Sequence, residues 1–172
     1  PKTPKPLCIE KIHFIYVAAD YFITIFNAYK KAPQFGKVFP LIESVFLSNS
    51  KSISDLASLS IKVISQYLEI ETNFSYSSMN FSDLKGQDKA DRLINITKKL
   101  GSKHYINAIG GSAIYDKKYF QNNGIHLSFL ENIVEPYLQY NDNFIPNLSI
   151  IDVIMFNNIA DVSKMLNKTK LN

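Results

Sequence analysis

Tyr105–Phe129, YINAIGGSAIYDKKYFQNNGIHLSF, decides the fold. Its first residues, Tyr105 to Ile109, form a short apolar run that reads as a strand and ends at Gly110–Gly111. A compact polar helical turn follows around Asp116 to Asn122, then Gly124, then a second strand over Ile125 to Phe129. Strand, glycine turn, short helix and strand are the unit from which α/β sheets are built. Ligands of such sheets sit beyond the carboxyl ends of the strands, where the two glycines fall.

Outward from this unit, the preceding segment Gly86–Leu100 has helical spacing, with Ala90, Leu93, Ile94, Thr97 and Leu100 expected to face inward. Gly101 suits the left-handed position just past its end. Phe74–Ser78 alternates apolar and small polar residues and reads as a half-buried strand. Ser52 and Asp55 have capping-box spacing before a helix carrying Leu56, Leu59, Val63 and Tyr67, widened by Ile61, Ile64 and Leu68. Gly36–Leu47 is a further helix, in which Pro40 fits only the first turn. Asp20 caps a helix over Tyr21–Lys31 that Ala32–Pro33 stops, and Ile12–Val17 reads as a buried strand. On the other side, Asn132–Asn143 is irregular. Ser149 caps a helix in which Asp152 completes a second capping-box spacing, and Ile159–Leu166 closes the chain's pattern. The expected fold class is α/β: a two- or three-layer sheet with mainly parallel strands and a helix-rich N-terminal half.

The composition agrees with one such domain. The chain has 172 residues, 46% apolar and 20% charged, an ordinary globular balance. A single domain over 11–172 is expected, with residues 1–10 (PKTPKPLCIE) a linker or cut end. The formal charge of +4 is spread along the chain rather than clustered, which argues against a nucleic-acid groove. No apolar run approaches the ~18–20 residues of a membrane span. Cys8 is the sole cysteine, so neither an internal disulfide nor a multi-cysteine metal site is available, and a cytoplasmic location fits.

Several residues carry possible chemistry. Gly110 and Gly111 can present backbone amides to an anion or form a tight turn of positive φ. Neither GxGxxG nor GxxxxGK[ST] is present. Asp152 is the candidate catalytic residue: an ionised carboxylate at a helix start, suited to orienting an amine or sugar hydroxyl, or else a plain cap with Ser149. Arg92 is the single arginine among 19 Lys and Arg residues, and reads either as an anion-binding fork or as a surface partner of Asp88. Tyr115, Tyr119, Tyr137 and Tyr140 can stack on a ligand or pack in the core. A triad of Ser112, Asp116 and His104 or His126 lacks the G-x-S-x-G context. The three histidines lie far apart in sequence, so no metal and no cofactor are expected.

DRLINITKKLGSKHYINAIGG (Asp91–Gly111), AIYDKKYFQNNGIHLSF (Ala113–Phe129) and FIPNLSIIDVIMFN (Phe144–Asn157) together resemble the WbqC-like family. FNAYKKAPQFGKVFPLIESVF (Phe26–Phe46) is similar to an earlier part of it. The resemblance implies a cytoplasmic protein of bacterial O-antigen or surface-polysaccharide biosynthesis, which transfers an acyl or aminoacyl group to an amino sugar on a nucleotide carrier. A non-catalytic binding or scaffold module of the same pathway is the alternative. The family's HQPxYxPW-type opening is not found here, and a fragment without it is expected to be an incomplete catalyst. On this reading the partner is a small molecule such as a sugar nucleotide. It is held by Asn107, Gly110, Gly111, Tyr115, Arg92 and Ser149, with Asp152 beside it.

Overall fold

The computed structural model describes residues 20–48, 50, 52–140 and 143–172. The expected linker 1–10 and strand Ile12–Val17 lie outside the described residues. In chain order the described helices are α1 (20–29), α2 (Phe35–Phe46), α3 (Ile53–Tyr67), α4 (Ser77–Asn80), α5 (Lys89–Lys99), α6 (Lys117–Asn122), α7 (Ile150–Phe156) and α8 (Ile159–Leu166). The strands are β1 (His104–Ala108), β2 (His126–Asn132) and β3 (Thr169–Leu171), with 3-10 turns at Ser82–Leu84 and Ile109–Ala113. The chain is thus mixed α/β. Its described residues form two compact units: a helical unit of those up to Glu71 with those of Pro136–Lys164, and a sheet unit of Thr72–Glu135 with Met165–Asn172.

In the helical unit, Val38 and Ile42 of α2 are buried with Ile154 and Met155 of α7 and Val162 of α8. Phe35 and Phe39 stack at 4.7 Å, and Phe26 of α1 meets both edge-on. The Gln34 amide donates to the Met155 carbonyl (3.0 Å), which anchors the start of α2 to α7. Asp20, expected as a cap, is itself helical, and Thr24 Oγ1 donates to its carbonyl. Pro40 is the sixth residue of α2 rather than a first-turn residue. Proline supplies no amide there, and the Gly36 carbonyl one turn back lies on the exposed side, where water can replace the lost bond. Ser52 Oγ accepts from the Asp55 amide (3.1 Å) at the start of α3, as its spacing predicts. Ile61, placed inward by periodicity, is 56% exposed.

The sheet unit contains the unit that opened the sequence reading. β1 and β2 are parallel, with His104 opposite His126 and Asn107 opposite Phe129. β3 joins the other side of β2 antiparallel, so the sheet is mixed, with order β1-β2-β3. β3 was not legible in advance: three residues are too few for a period-2 signal. Ile94 of α5 and Phe120 of α6 pack with Ile125, Leu127 and Phe129, which sets both helices on one face of the sheet. Gly101 (φ +71) and Gly124 (φ +78) take the left-handed positions after α5 and α6. In each case the next amide returns to the carbonyl five residues back: Ser102 to Thr97, and Ile125 to Phe120. Leu100 is 62% exposed rather than inward, because it lies beyond the last helical residue. Phe74–Ser78 is not a strand. The chain turns into α4 instead, where Asn80 Oδ1 accepts from the Tyr76 amide (3.2 Å) and closes a local turn.

Candidate functional site

Asp152 is a buried polar residue of the helical unit. Asn147 (φ 59) redirects the chain into α7, and Ser149 Oγ caps the helix by accepting from the Ile151 amide (3.3 Å). The capping-box spacing is half fulfilled, because the Asp152 side chain does not turn back to the helix start. It points inward and is 5% exposed. Oδ1 accepts from the Tyr137 hydroxyl (2.5 Å) and from Gln139 Nε2 (3.2 Å), while Oδ2 accepts from the Tyr29 hydroxyl (3.0 Å). A buried carboxylate without donors would be costly; three donors offset its loss of water.

The donors are themselves held. Gln139 bonds both the amide (2.9 Å) and the carbonyl (3.1 Å) of Ile145, so one carboxamide ties Gln139 to Ile145 twice. The Tyr137 ring meets Phe144 at 5.2 Å, and Tyr140 meets Phe156 at 4.8 Å. Burial, followed by the bond to Asp152, pushes the Tyr137 phenol up to about 12. The same two causes raise Tyr29 well above the ordinary phenol range. Both phenols therefore stay protonated and donating, and Asp152 is the acceptor. The partners Tyr29, Tyr137 and Gln139 were not predicted; Tyr29 lies 123 residues away in sequence.

The other candidates lie in the sheet unit. The glycine pair lies in the tight 3-10 turn Ile109–Ala113, but neither glycine has positive φ, so the need for glycine has another cause. A Cβ on Gly111 would lie 2.9 Å from Asn107 Nδ2 and 3.0 Å from its Cγ. The Asn107 side chain folds over Gly111 and accepts from the Ala108 amide (2.8 Å) through Oδ1. Asn107 and Gly111 are thus one local device, and Gly110 is exposed beside it. The Tyr115 amide donates to the Gly111 carbonyl (3.0 Å), and its half-buried ring packs edge-on against the core residue Phe120 at 6.0 Å. Arg92 does not pair with Asp88, which caps α5 through the Ala90 amide (3.0 Å). Its Nη2 reaches the Ser77 carbonyl (3.5 Å), and its buried Nε makes no hydrogen bond.

The imagined triad does not assemble as imagined: Asp116 caps α6 through the Lys118 amide (2.8 Å), and His104 Nε2 bonds Ser128 Oγ (2.9 Å). The helical unit also holds an apolar cavity of about 280 Å³, lined by residues including Leu41, Phe46, Leu56, Val63, Ile151 and Ile154. Ser60 at its wall spends its hydroxyl on the Ala57 carbonyl (2.8 Å), so the cavity offers little to a sugar nucleotide. No described helix is long and apolar enough to cross a membrane.

The expected substrate set thus divides by unit, with Ser149 and Asp152 in one and Arg92, Asn107, Gly110, Gly111 and Tyr115 in the other. The family model of the WbqC-like protein family matches residues 10–164, so the chain belongs to that family. Neither a curated protein nor a solved structure matches it.

Proposed function

We propose that this member of the WbqC-like family is a cytoplasmic transferase of bacterial O-antigen or related surface-polysaccharide biosynthesis. It joins an acyl or aminoacyl group to an amino sugar carried on a nucleotide. The observation that carries this reading is the Asp152 carboxylate, buried yet supplied by three neutral donors. A carboxylate has about four acceptor directions. Three are taken by Tyr29, Tyr137 and Gln139, and the fourth suits one N–H of an acceptor amine. In that role Asp152 orients the amine toward an activated acyl or aminoacyl ester. The amine nitrogen forms the new C–N bond, the ester oxygen leaves with its electron pair, and the amine proton passes to solvent. Positioning of this kind supplies much of the rate in such reactions.

Substrate contacts are proposed for Ser149 beside Asp152 in the helical unit and, as a separate set within the sheet unit, for Asn107, the Gly110 and Gly111 amides, Tyr115 and Arg92. The planar guanidinium of Arg92 is of the kind that pairs with a nucleotide diphosphate. In a direct test, dTDP- or UDP-amino sugars are added at millimolar concentration while Tm is followed. A rise of a few degrees is expected for the native chain and a smaller one for Asp152→Asn. No shift with any sugar nucleotide counts against the reading.

A second reading, a non-catalytic binding module of the same pathway, is favoured by one observation: Asp152 is already satisfied by its own chain. It predicts that Asp152→Asn and Arg92→Lys leave the surface polysaccharide unchanged on a gel, whereas the transferase reading predicts its loss.

A further inference from the structure

His104 and His126 are 22 positions apart in the chain, and parallel pairing of β1 with β2 sets them directly opposite each other. Their rings lie with centroids 4.8 Å apart and planes tilted by 54°. Both residues are exposed. The structure also fixes one ring: His104 Nε2 bonds the hydroxyl of Ser128, itself 6% exposed, at 2.9 Å. When Nε2 carries the proton and donates to Ser128, His104 Nδ1 is left as an unprotonated lone pair. Outer partners of this kind orient ligating histidines in metal sites.

The spacing fits a shared ion. A histidine nitrogen binds Zn²⁺ at about 2.0–2.1 Å and lies about 1.1 Å from its own ring centre, so each centroid would sit about 3.2 Å from the ion. Two such centroids separated by 4.8 Å subtend an angle of about 97° at the metal, between the square and tetrahedral values preferred by borderline divalent ions. We infer that His104 and His126 form a two-imidazole site for a borderline divalent cation of the Zn²⁺ or Ni²⁺ class, oriented by Ser128. The ion keeps its remaining positions open to water or to an oxygen ligand such as a phosphate. Imidazole nitrogen, rather than oxygen, supplies the protein ligands, so Mg²⁺ and Ca²⁺ are poor occupants.

The chain has three histidines, His13, His104 and His126, which makes the test clean. Zn²⁺ is titrated by calorimetry into tag-free chain and into His104→Ala, His126→Ala and His13→Ala. One ion per chain is expected, with affinity reduced at least tenfold by the first two substitutions and unchanged by the third. Ser128→Ala is expected to weaken binding about tenfold while leaving both imidazoles in place. Circular dichroism of each variant checks that the fold is retained. In a second readout, the imidazole proton resonances of His104 and His126 should move together as one equivalent of Zn²⁺ is added. Binding that follows His13, binding that survives loss of both sheet histidines, or imidazole resonances that respond separately would each overturn the site. Because none of these readouts involves a sugar nucleotide, the result is independent of the proposed transfer reaction.

Discussion

The two units close their helices by the same hydrogen-bond pattern with different residues. In the sheet unit, α5 and α6 end at Gly101 and Gly124, both with positive φ. In the helical unit, α3 ends in the same way, with the Glu69 amide returning to Gln66 and the Ile70 amide to Ser65, but the left-handed residue is Glu69 (φ 57). Their polar interiors differ too. In the sheet unit Asn107 folds over Gly111 four residues on, and Asn172 reaches Glu131 across 41, whereas in the helical unit Tyr29 reaches the buried Asp152 across 123. The lesson is that the sheet unit is built mostly from one continuous stretch, Thr72–Glu135, whereas the helical unit joins two stretches that lie on either side of it in the chain.

This contrast can be broken at several points. The largest expected effect is in the sheet unit: Phe120→Ala removes a side chain with 0% exposure from the centre of its core and should cost about 3–5 kcal/mol. Urea unfolding measures the cost, and amide exchange in β1 and β2 should accelerate. Asp152→Ala leaves the Tyr29 and Tyr137 phenols without their acceptor and removes one of the two bonds that Gln139 Nε2 donates, with an expected loss of about 3 kcal/mol. A loss under about 1 kcal/mol would show that the donors find other partners and that the helical unit depends less on distant pairing than argued.

Smaller changes sharpen the comparison. Gly111→Ala should cost about 1–2 kcal/mol by pushing the Asn107 side chain off the Ala108 amide, and Asn107→Ala in the same chain should recover part of it. Additive effects would dissolve the local device. Glu69→Gly should raise stability by up to about 1 kcal/mol, and Gly101→Ala should lower it by a similar amount, since only one of the two helix ends already has the residue its backbone favours.

A pH effect bears on the same carboxylate, Asp152. Burial and the bond to Asp152 push the Tyr137 phenol up to about 12, against about 10 for a free phenol. A raised value means that folding favours the neutral phenol. Its contribution is complete below about pH 10 and is lost as pH rises toward 12. Urea midpoints should therefore fall across that window, and less steeply in Tyr137→Phe. Tyr29, raised for the same reason, keeps the slope from vanishing.

Legibility in sequence follows the same division. Tyr105–Phe129 could be read almost element by element, because Gly124, the Asp116 cap and the apolar runs act within a few residues of one another. The Ser149 and Ser52 caps and the span of α8 were legible for the same reason. The environment of Asp152 was not. Its sequence neighbours point to a cap, and nothing local announces that Tyr29 and Tyr137 converge on it. The alternation at Phe74–Ser78 misled because a period-2 pattern says nothing about whether a strand partner exists. Likewise, histidines dismissed as distant in sequence become neighbours once β1 and β2 run parallel.

The Tyr29–Asp152 bond also bears on the order of events as the chain folds. It closes a separation of 123 residues, and the chain entropy of such a closure grows with the logarithm of loop length. The sheet unit, Thr72–Glu135 with a short later segment, is interposed between the two stretches that build the helical unit. Contacts of short span form first, so β1, α6 and β2 are expected to assemble while Asp152 is still hydrated. The carboxylate loses its water only when the two stretches meet, which places its dehydration late in folding. Substitutions at Asp152 should accordingly speed unfolding more than they slow folding.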